Sequence, residues 1–228
     1  MKRKSYKRII LATLISLLLI GSAGAVYATQ PYVSEKLILS QENVDAISKA
    51  MSKDGKIIAW NYDSRAPSGA IPSSSQSNAT ILSGENWSTK TKVKTLRFKN
   101  SGRSEISVFS TDGKIAAGNS SAKKGQRAYE RAMIWSGDNW VRETDLGTLR
   151  NDNSGGSIVS SLSTDGKIAA GFSDSDNLSY THATIWSGEN WRKKTDLGTI
   201  ANDNTGHSAV TALSGDGKVA AGSSISEC

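Results

Sequence analysis

The chain of 228 residues repeats a unit of roughly fifty residues along most of its length. The tripeptide Asp-Gly-Lys marks each copy and starts at Asp54, Asp112, Asp165 and Asp216. Residues 153–203 form one complete copy, with related copies before it and a partial copy after it. Such a period is typical of repeat proteins, in which each unit buries its apolar face against its neighbours. The fold must therefore be an array of similar units.

Within one unit the pattern is that of short strands and turns, without a helical stripe. The complete copy predicts four antiparallel strands, over residues 157–163, 167–172, 183–186 and 191–197. Asp165 and Gly166 between the first two strands favour a primed β-turn. The run KIAAG has small or apolar residues on both alternating faces, which predicts a central strand covered on both sides. Residues 61–78 and 119–131 vary in length and composition, and we expect them to be surface loops that project from one face.

Four strands in roughly 40 to 50 residues is the size of a propeller blade. We therefore predict an all-β, β-propeller-like array of four-stranded repeats, with three full units and a partial fourth. A β-solenoid is the competing architecture, although its coils are usually shorter. The tryptophan pairs Trp135 with Trp140 and Trp186 with Trp191 could stack on a ligand, but packing between neighbouring blades is the favoured interpretation.

The first 28 residues follow the order of a secretory signal. Five Lys and Arg residues precede an uncharged, mostly apolar run over residues 9–20, and small residues then offer cleavage after Ala25 or Ala28. A retained membrane anchor is the alternative, although the run is short for a span of roughly 20 residues. Cleavage removes five of the 28 basic residues and none of the 21 acidic ones, so most of the formal charge of +7 belongs to the signal. Nucleic acid is therefore not an expected partner.

Three segments follow from these patterns: a signal peptide over residues 1–28, an N-terminal segment over 29–43, and a repeat β domain over 44–228. The fourth unit has only its first hairpin, which would leave an unpaired strand edge. Residues 31–40 could add a latch strand there and close the ring. Alternatively, the repeat domain is an incomplete propeller and the chain is a truncated form of a longer array. The single cysteine, Cys228, excludes an intramolecular disulfide.

The sequence predicts no catalytic, cofactor-binding or metal-binding residue. His182 and His207 occupy different phases of the repeat, so we do not expect them to share a metal, and His207 is interpreted as an exposed loop residue. Asp112, Asp165 and Asp216 each precede a turn glycine, where an Asp side chain caps the local backbone. Neither a phosphate loop nor a nucleophile elbow is present. Calcium remains an open alternative at the oxygen-rich segments 151–153, 174–177 and 202–204.

The motifs KIAAG, WSG(D/E)NW and TDLGT(L/I)xND together resemble the HAF-type extracellular repeat of bacterial surface and autotransporter proteins. The resemblance covers residues 44–222 and implies a secreted or surface-exposed β-rich passenger region in a Gram-negative bacterium. The first copy departs from it, because Lys92-Val93-Lys94 stands where later copies have Asp-Leu-Gly. We expect that unit to diverge. Such families often carry a C-terminal outer-membrane barrel, which we do not expect in this chain.

The signal, the array and the lack of a catalytic set predict an exported, surface-associated protein with a binding or adhesion role and no enzymatic activity. Its expected location is the periplasm, the cell surface or the extracellular space, and its partner is an unknown surface or host ligand. Membrane contact is expected only through the signal or through the barrel of a longer relative. The alternatives are a secreted glycan-active propeller enzyme, which needs two converging carboxylates, and a truncated fragment without a function of its own.

Overall fold

A computed structural model describes residues 45–63, 78–96, 102–124, 127–176 and 180–225, all within the compact unit Ser34–Cys228. The predicted signal peptide, the latch segment 31–40 and most of the loop 61–78 lie outside the described residues. The described part contains fourteen strands, which are β1 (Asp45–Met51), β2 (Ile58–Asp63), β3 (Thr80–Ser83), β4 (Thr89–Lys92), β5 (Ser104–Phe109), β6 (Ala116–Lys124), β7 (Arg127–Ser136), β8 (Arg142–Asp145), β9 (Ser157–Leu162), β10 (Ala169–Asp174), β11 (Thr181–Ser187), β12 (Lys193–Asp196), β13 (His207–Leu213) and β14 (Ala220–Ile225).

The strands form four antiparallel sheets, each made of strands that are consecutive in the chain. Sheets 1, 2 and 3 have the orders β1-β2-β3-β4, β5-β6-β7-β8 and β9-β10-β11-β12, and the described part of sheet 4 is β13-β14. The predicted all-β fold, with three four-stranded units and a two-stranded fourth, is confirmed. The predicted start of the fourth strand at Trp191 is wrong, because Glu189–Trp191 forms a single 3₁₀ turn and β12 begins at Lys193.

The first hairpin of each sheet closes through a turn built around a serine and an aspartate. In sheet 3 the Gly166 amide donates to the Ser163 carbonyl oxygen at 2.9 Å, and Gly166 has a φ of 74°. Neither Thr164 nor Asp165 has a positive φ, so the turn is of type I followed by a left-handed glycine, and the predicted primed turn is wrong. The reason is the Asp165 carboxylate, which accepts hydrogen bonds from Ser163 Oγ and the Lys167 amide and stabilises this geometry.

A β-bulge in the first hairpin explains the glycine of the KIAAG run. The register of β9 and β10 shifts between Ala170 and Gly171. A Cβ on Gly171 would overlap the carbonyl oxygen of Ile158 on the neighbouring strand. Only glycine therefore permits this close approach of the two backbones. The run itself is buried at Ala169, Ala170 and Gly171, as predicted for a central strand.

The predicted surface loop over residues 119–131 is largely strand. Strands β6 and β7 remain paired from Ala116 with Trp135 to Lys124 with Arg127. The paired stretch is longer than that of β10 and β11 in sheet 3, which runs from Ala169 to Asp174, and its main-chain groups satisfy one another along the continued ladder.

The sheets pack face to face through three apolar clusters. The fully buried Trp135 lies between sheets 1 and 2 with Ile81 and Ile106, and the fully buried Trp186 lies between sheets 2 and 3 with Ile134. A smaller cluster, which includes Ala170, Ala183 and Val210, joins sheets 3 and 4. The interpretation that the tryptophans fill space between units is therefore confirmed for Trp135 and Trp186.

Backbone hydrogen bonds also join successive sheets, and they hold each unit in a similar orientation to its neighbour. The Thr111 amide donates to the Thr164 carbonyl oxygen at 2.9 Å, and the Thr164 amide donates to the Gly215 carbonyl oxygen at 2.8 Å.

Sheet 1 keeps the backbone hydrogen bond that follows the fourth strand, despite its different motif. Its Val93 amide donates to the Ala79 carbonyl oxygen at 3.0 Å, as Leu146 does to Ala132 in sheet 2. The first copy therefore differs from the second in its side chains here, while this backbone hydrogen bond is the same.

Candidate functional site

In the loop that follows strand β8 of sheet 2, side-chain oxygens accept hydrogen bonds from backbone amides of the same loop. Asp145 Oδ1 accepts a hydrogen bond from the Gly147 amide at 2.8 Å, and Asn153 Oδ1 accepts one from the Thr148 amide at 2.9 Å. Asn153 has a φ of 51°, a left-handed conformation that asparagine tolerates better than most residues. The motif TDLGT(L/I)xND therefore encodes a compact loop that turns several oxygen atoms toward one point.

Sheet 3 carries the same loop with the same bonds. Asp196 Oδ1 accepts from the Gly198 amide at 2.7 Å, and Asn204 Oδ1 accepts from the Thr199 amide at 2.7 Å. Asn204 has a φ of 58°. We call these loops the sheet 2 cradle (residues 145–153) and the sheet 3 cradle (residues 196–204).

The sheet 2 cradle is filled by two cations of the chain itself. Arg131, which is 6% exposed, donates from Nη1 to the Asn153 carbonyl oxygen at 2.8 Å and from Nε to Asp145 Oδ1 at 3.2 Å. Its Nη2 lies 3.3 Å from Asn153 Oδ1. Lys194, on strand β12 of the next sheet, donates from Nζ to the Thr148 carbonyl oxygen at 2.6 Å. The oxygens of this cradle are therefore paired with donors from the protein.

Arg131 and Lys194 carry like charges and lie close together in the sheet 2 cradle. Burial lowers the pKa of Lys194 below its ordinary value, the neighbouring Arg131 lowers it further, and Asp145 acts in the opposite direction. The cradle nevertheless accepts hydrogen bonds from both side chains.

The sheet 3 cradle has a histidine where the sheet 2 cradle has its arginine. His182 occupies the repeat position of Arg131, is 4% exposed, and places Nδ1 2.9 Å from Asp196 Oδ2. The buried Nε2 of His182 has no hydrogen-bond partner in the described part of the chain. A cavity of about 300 Å³ lies beside it and is lined by Leu149, Ser175, Asp176, His182, Asp196, Asp203 and Asn204.

Three carboxylates and no lysine or arginine line this cavity, which we call the His182 cavity. Asp176 accepts a hydrogen bond from the Asn151 amide at 2.9 Å. Asp203 accepts from the Thr205 hydroxyl at 2.7 Å and from the Thr205 amide at 3.1 Å, and these two bonds lower the pKa of its carboxyl. Asp203 is therefore ionised at neutral pH, and the cavity is an acceptor-rich, negatively charged space.

The candidate residues of the sequence analysis lie in hairpin turns, in a strand and beside the His182 cavity. The interpretation of Asp112, Asp165 and Asp216 as turn residues is confirmed, since each carboxylate accepts a bond from a nearby serine hydroxyl. His207 is exposed as expected but begins strand β13, so its assignment to a loop is wrong. Its Nδ1 accepts from the Thr181 amide at 3.2 Å, whereas His182 points to Asp196.

His182 is the site residue that the sequence reasoning dismissed. The signal that could have found it is the alignment of HATIW in the third copy with RAMIW in the second and NATIL in the first. One repeat position thus carries His182, Arg131 and Asn78. The charge of this repeat position therefore differs among the three copies.

No known protein-family model matches the chain, and no curated protein sequence matches it. In the part of the chain that the structure describes, no helix is long and apolar enough to cross a membrane. Within the same residues, no three His, Cys, Asp or Glu side chains are grouped as ligands for one metal ion.

Proposed function

We propose that the chain is an exported, surface-associated protein of the HAF repeat type whose role is to bind a ligand, with its sheets arranged as a propeller-like array. The signal-like order of the first 28 residues supports export. The repetition of one sheet, with Trp135 packed between sheets 1 and 2 and Trp186 between sheets 2 and 3, supports the propeller-like arrangement.

The His182 cavity is the observation that carries the binding role. In sheet 2 Arg131 pairs with the cradle oxygens, and the recess of about 530 Å³ that also borders this cradle is lined by the cations Arg142, Arg192 and Lys194. In sheet 3 the same cradle is kept with the shorter His182 in place of the arginine. The His182 cavity differs from the sheet 2 recess because carboxylates line it without a lysine or arginine, and this uncompensated charge supports a place for a partner.

We propose that the bound molecule is not a substrate. Hydrolysis of a glycan needs a carboxylic acid with a raised pKa that can donate a proton. Asp203 has a lowered pKa, because two bonds from Thr205 stabilise its charged form. Both oxygens of Asp196 are already engaged, because Oδ2 lies 2.9 Å from His182 Nδ1 and Oδ1 accepts a hydrogen bond from the Gly198 amide.

The proposal is tested by expressing the full chain in a Gram-negative host. We expect the chain outside the cytoplasm, with a mature N-terminus at Val26 or Thr29 by mass spectrometry. The purified product should then adhere to host cells or immobilised matrix proteins above a control propeller of similar size and charge. Retention of the full-length chain in the cytoplasm would contradict export, and adhesion equal to that of the control would contradict the binding role.

A further inference from the structure

The sheet 2 cradle shows what its sheet 3 counterpart is built to hold. In sheet 2 the guanidinium of Arg131 donates to a carboxylate oxygen, an amide side-chain oxygen and a backbone carbonyl oxygen. The equivalent oxygens in sheet 3 belong to Asp196 and Asn204. The bonds that orient these two side chains are the same in both cradles. The third sheet therefore has a preformed receptor for a guanidinium but lacks the arginine.

His182 holds one of the carboxylates of this receptor. Its Nδ1 lies 2.9 Å from Asp196 Oδ2, and a carboxylate can only accept, so Nδ1 carries the proton of this hydrogen bond. Its Nε2 is buried and has no partner among the described residues. The cavity offers the side chain of Asn204 and the carboxylates of Asp176, Asp196 and Asp203. A ligand that only donates hydrogen bonds matches this set.

Contacts between neighbouring sheets also pair opposite charges at these loops. Lys94, in the loop of sheet 1, lies 3.7 Å from Glu143 on strand β8 of sheet 2. The acidic cradle of sheet 2 meets Lys194 on strand β12 of sheet 3, at the repeat position of Glu143. Each of these loops is therefore met by a side chain of opposite charge from the following sheet.

We propose that the His182 cavity binds a guanidinium group presented by an arginine side chain of a partner protein. This inference rests on the proposed binding function and names the chemistry of its ligand. The planar guanidinium has five N–H donors in a fixed fork, which suits several converging acceptors. A volume of about 300 Å³ is ample for that group. A bare metal ion suits the cavity less well, because the described residues contain no cluster of three acidic or histidine ligands.

The ligand test uses two small probes that differ in charge but hardly in shape. N-acetyl-arginine amide carries the guanidinium, and N-acetyl-citrulline amide replaces it with a neutral urea. We expect saturable, millimolar binding of the arginine probe to the mature chain by heteronuclear NMR, with shifts at the Asn204 and His182 amides. The citrulline probe should bind at least tenfold more weakly. Equal binding of the two probes, or no saturation by the arginine probe, would overturn the proposal.

The protein test fills the cavity from within. His182→Arg should place a guanidinium in the sheet 3 cradle, as Arg131 does in sheet 2, and abolish binding of the arginine probe. A thermal melt establishes that this variant is folded. Unchanged binding by folded His182→Arg would show that the probe binds elsewhere.

A second pair of variants keeps the test valid if His182→Arg does not fold. Asp203 and Asp152 both accept bonds from the hydroxyl and the amide of the residue two positions later, but Asp152 also pairs with Arg150, and only Asp203 lines the cavity. Asp203→Asn should weaken binding of the arginine probe at least threefold, and the matched Asp152→Asn should leave it unchanged. Equal effects of the two substitutions would contradict the proposal, as would binding of calcium chloride at this cavity with no binding of the arginine probe.

The two proposals can fail separately. Adhesion of the wild-type protein measures the proposed function without reference to the cavity, and the arginine probe measures the cavity without reference to a host ligand. Adhesion without probe binding would leave the surface role and overturn the guanidinium site. Probe binding without adhesion would leave the site and overturn the surface role.

Discussion

Gly166 of sheet 3 lies directly against Ile115 of sheet 2, so that a Cβ on the glycine would be only 2.5 Å from Ile115 Cδ1. The same contact joins Gly113 to Ile57 and Gly217 to Ile168, and it links each hairpin turn to the sheet before it. The glycine of the Asp-Gly-Lys motif thus has two roles, since it closes its own turn and permits close packing between sheets.

The first prediction separates these two roles. Gly166→Ala should destabilise the protein by about 1 kcal/mol for the left-handed backbone, and by about 1–3 kcal/mol more for overpacking against Ile115. Gly55→Ala is the matched control, because Gly55 has a similar φ of 72° and meets only Met51 Sδ, at 3.9 Å. Urea unfolding of both variants measures the difference. Equal losses of stability in the two variants would show that the contact of Gly166 with Ile115 adds nothing to the cost of the substitution.

The second prediction concerns the two fully buried tryptophans. Trp135 Nε1 donates to the Lys94 carbonyl oxygen at 3.1 Å, whereas Trp186 Nε1 is buried without a partner among the described residues. Both substitutions to Phe remove similar apolar contacts. Trp135→Phe should therefore cost about 1 kcal/mol more than Trp186→Phe, because only the former loses a hydrogen bond. Equal costs in chemical denaturation would contradict this account.

The third prediction compares the two cradles through their left-handed asparagines. Asn153→Ala and Asn204→Ala remove equivalent bonds to the Thr148 and Thr199 amides. Only Asn153 also accepts from the buried Arg131. We expect Asn153→Ala to be more destabilising by about 1–2 kcal/mol, since a charged donor loses a partner. Thermal melts at matched pH measure the difference, and a larger loss in Asn204→Ala would contradict the interpretation of the empty cradle.

The fourth prediction concerns acid. Hydrogen bonds from a serine hydroxyl and then from a backbone amide lower the folded-state pKa of Asp112 and Asp216 below its ordinary value. For Asp165 the Lys167 amide is the larger cause and the Ser163 hydroxyl the second. Their stabilisation is fully present above the unfolded pKa and is lost as the pH falls through the lower folded values, because the unfolded chain then binds more protons.

Asp165→Asn tests this sign. Between pH 5 and pH 2 the stability of the wild type should fall more steeply than that of the variant, by up to one proton in the linkage slope. Urea titrations at several pH values give both slopes. Parallel curves would mean that Asp165 has the same pKa in the folded and unfolded chain.

Much of the architecture could be predicted from the sequence because it depends on local patterns that recur. Each Asp-Gly step produced a hairpin turn, and the KIAAG runs of sheets 2 and 3 became the central strands β6 and β10. The type of turn could not be predicted, since it depended on a bond between Ser163 and Asp165 that competes with the usual preference of Asp-Gly. The extended hairpin of β6 and β7 was also missed, because charged and polar residues in a ladder resemble a loop when no partner strand is known.

The sequence by itself determined the repeat, the strands within it and the pairing of neighbouring units, because hydrophobic pattern and turn chemistry act over a few residues. Only the tertiary structure decided that Arg131 fills one cradle while His182 leaves the next one open. The two loops share their backbone bonds, and the difference arises from side-chain length and from which neighbouring sheet supplies a cation. Such a site depends on contacts between residues distant in the chain, and local pattern does not record them.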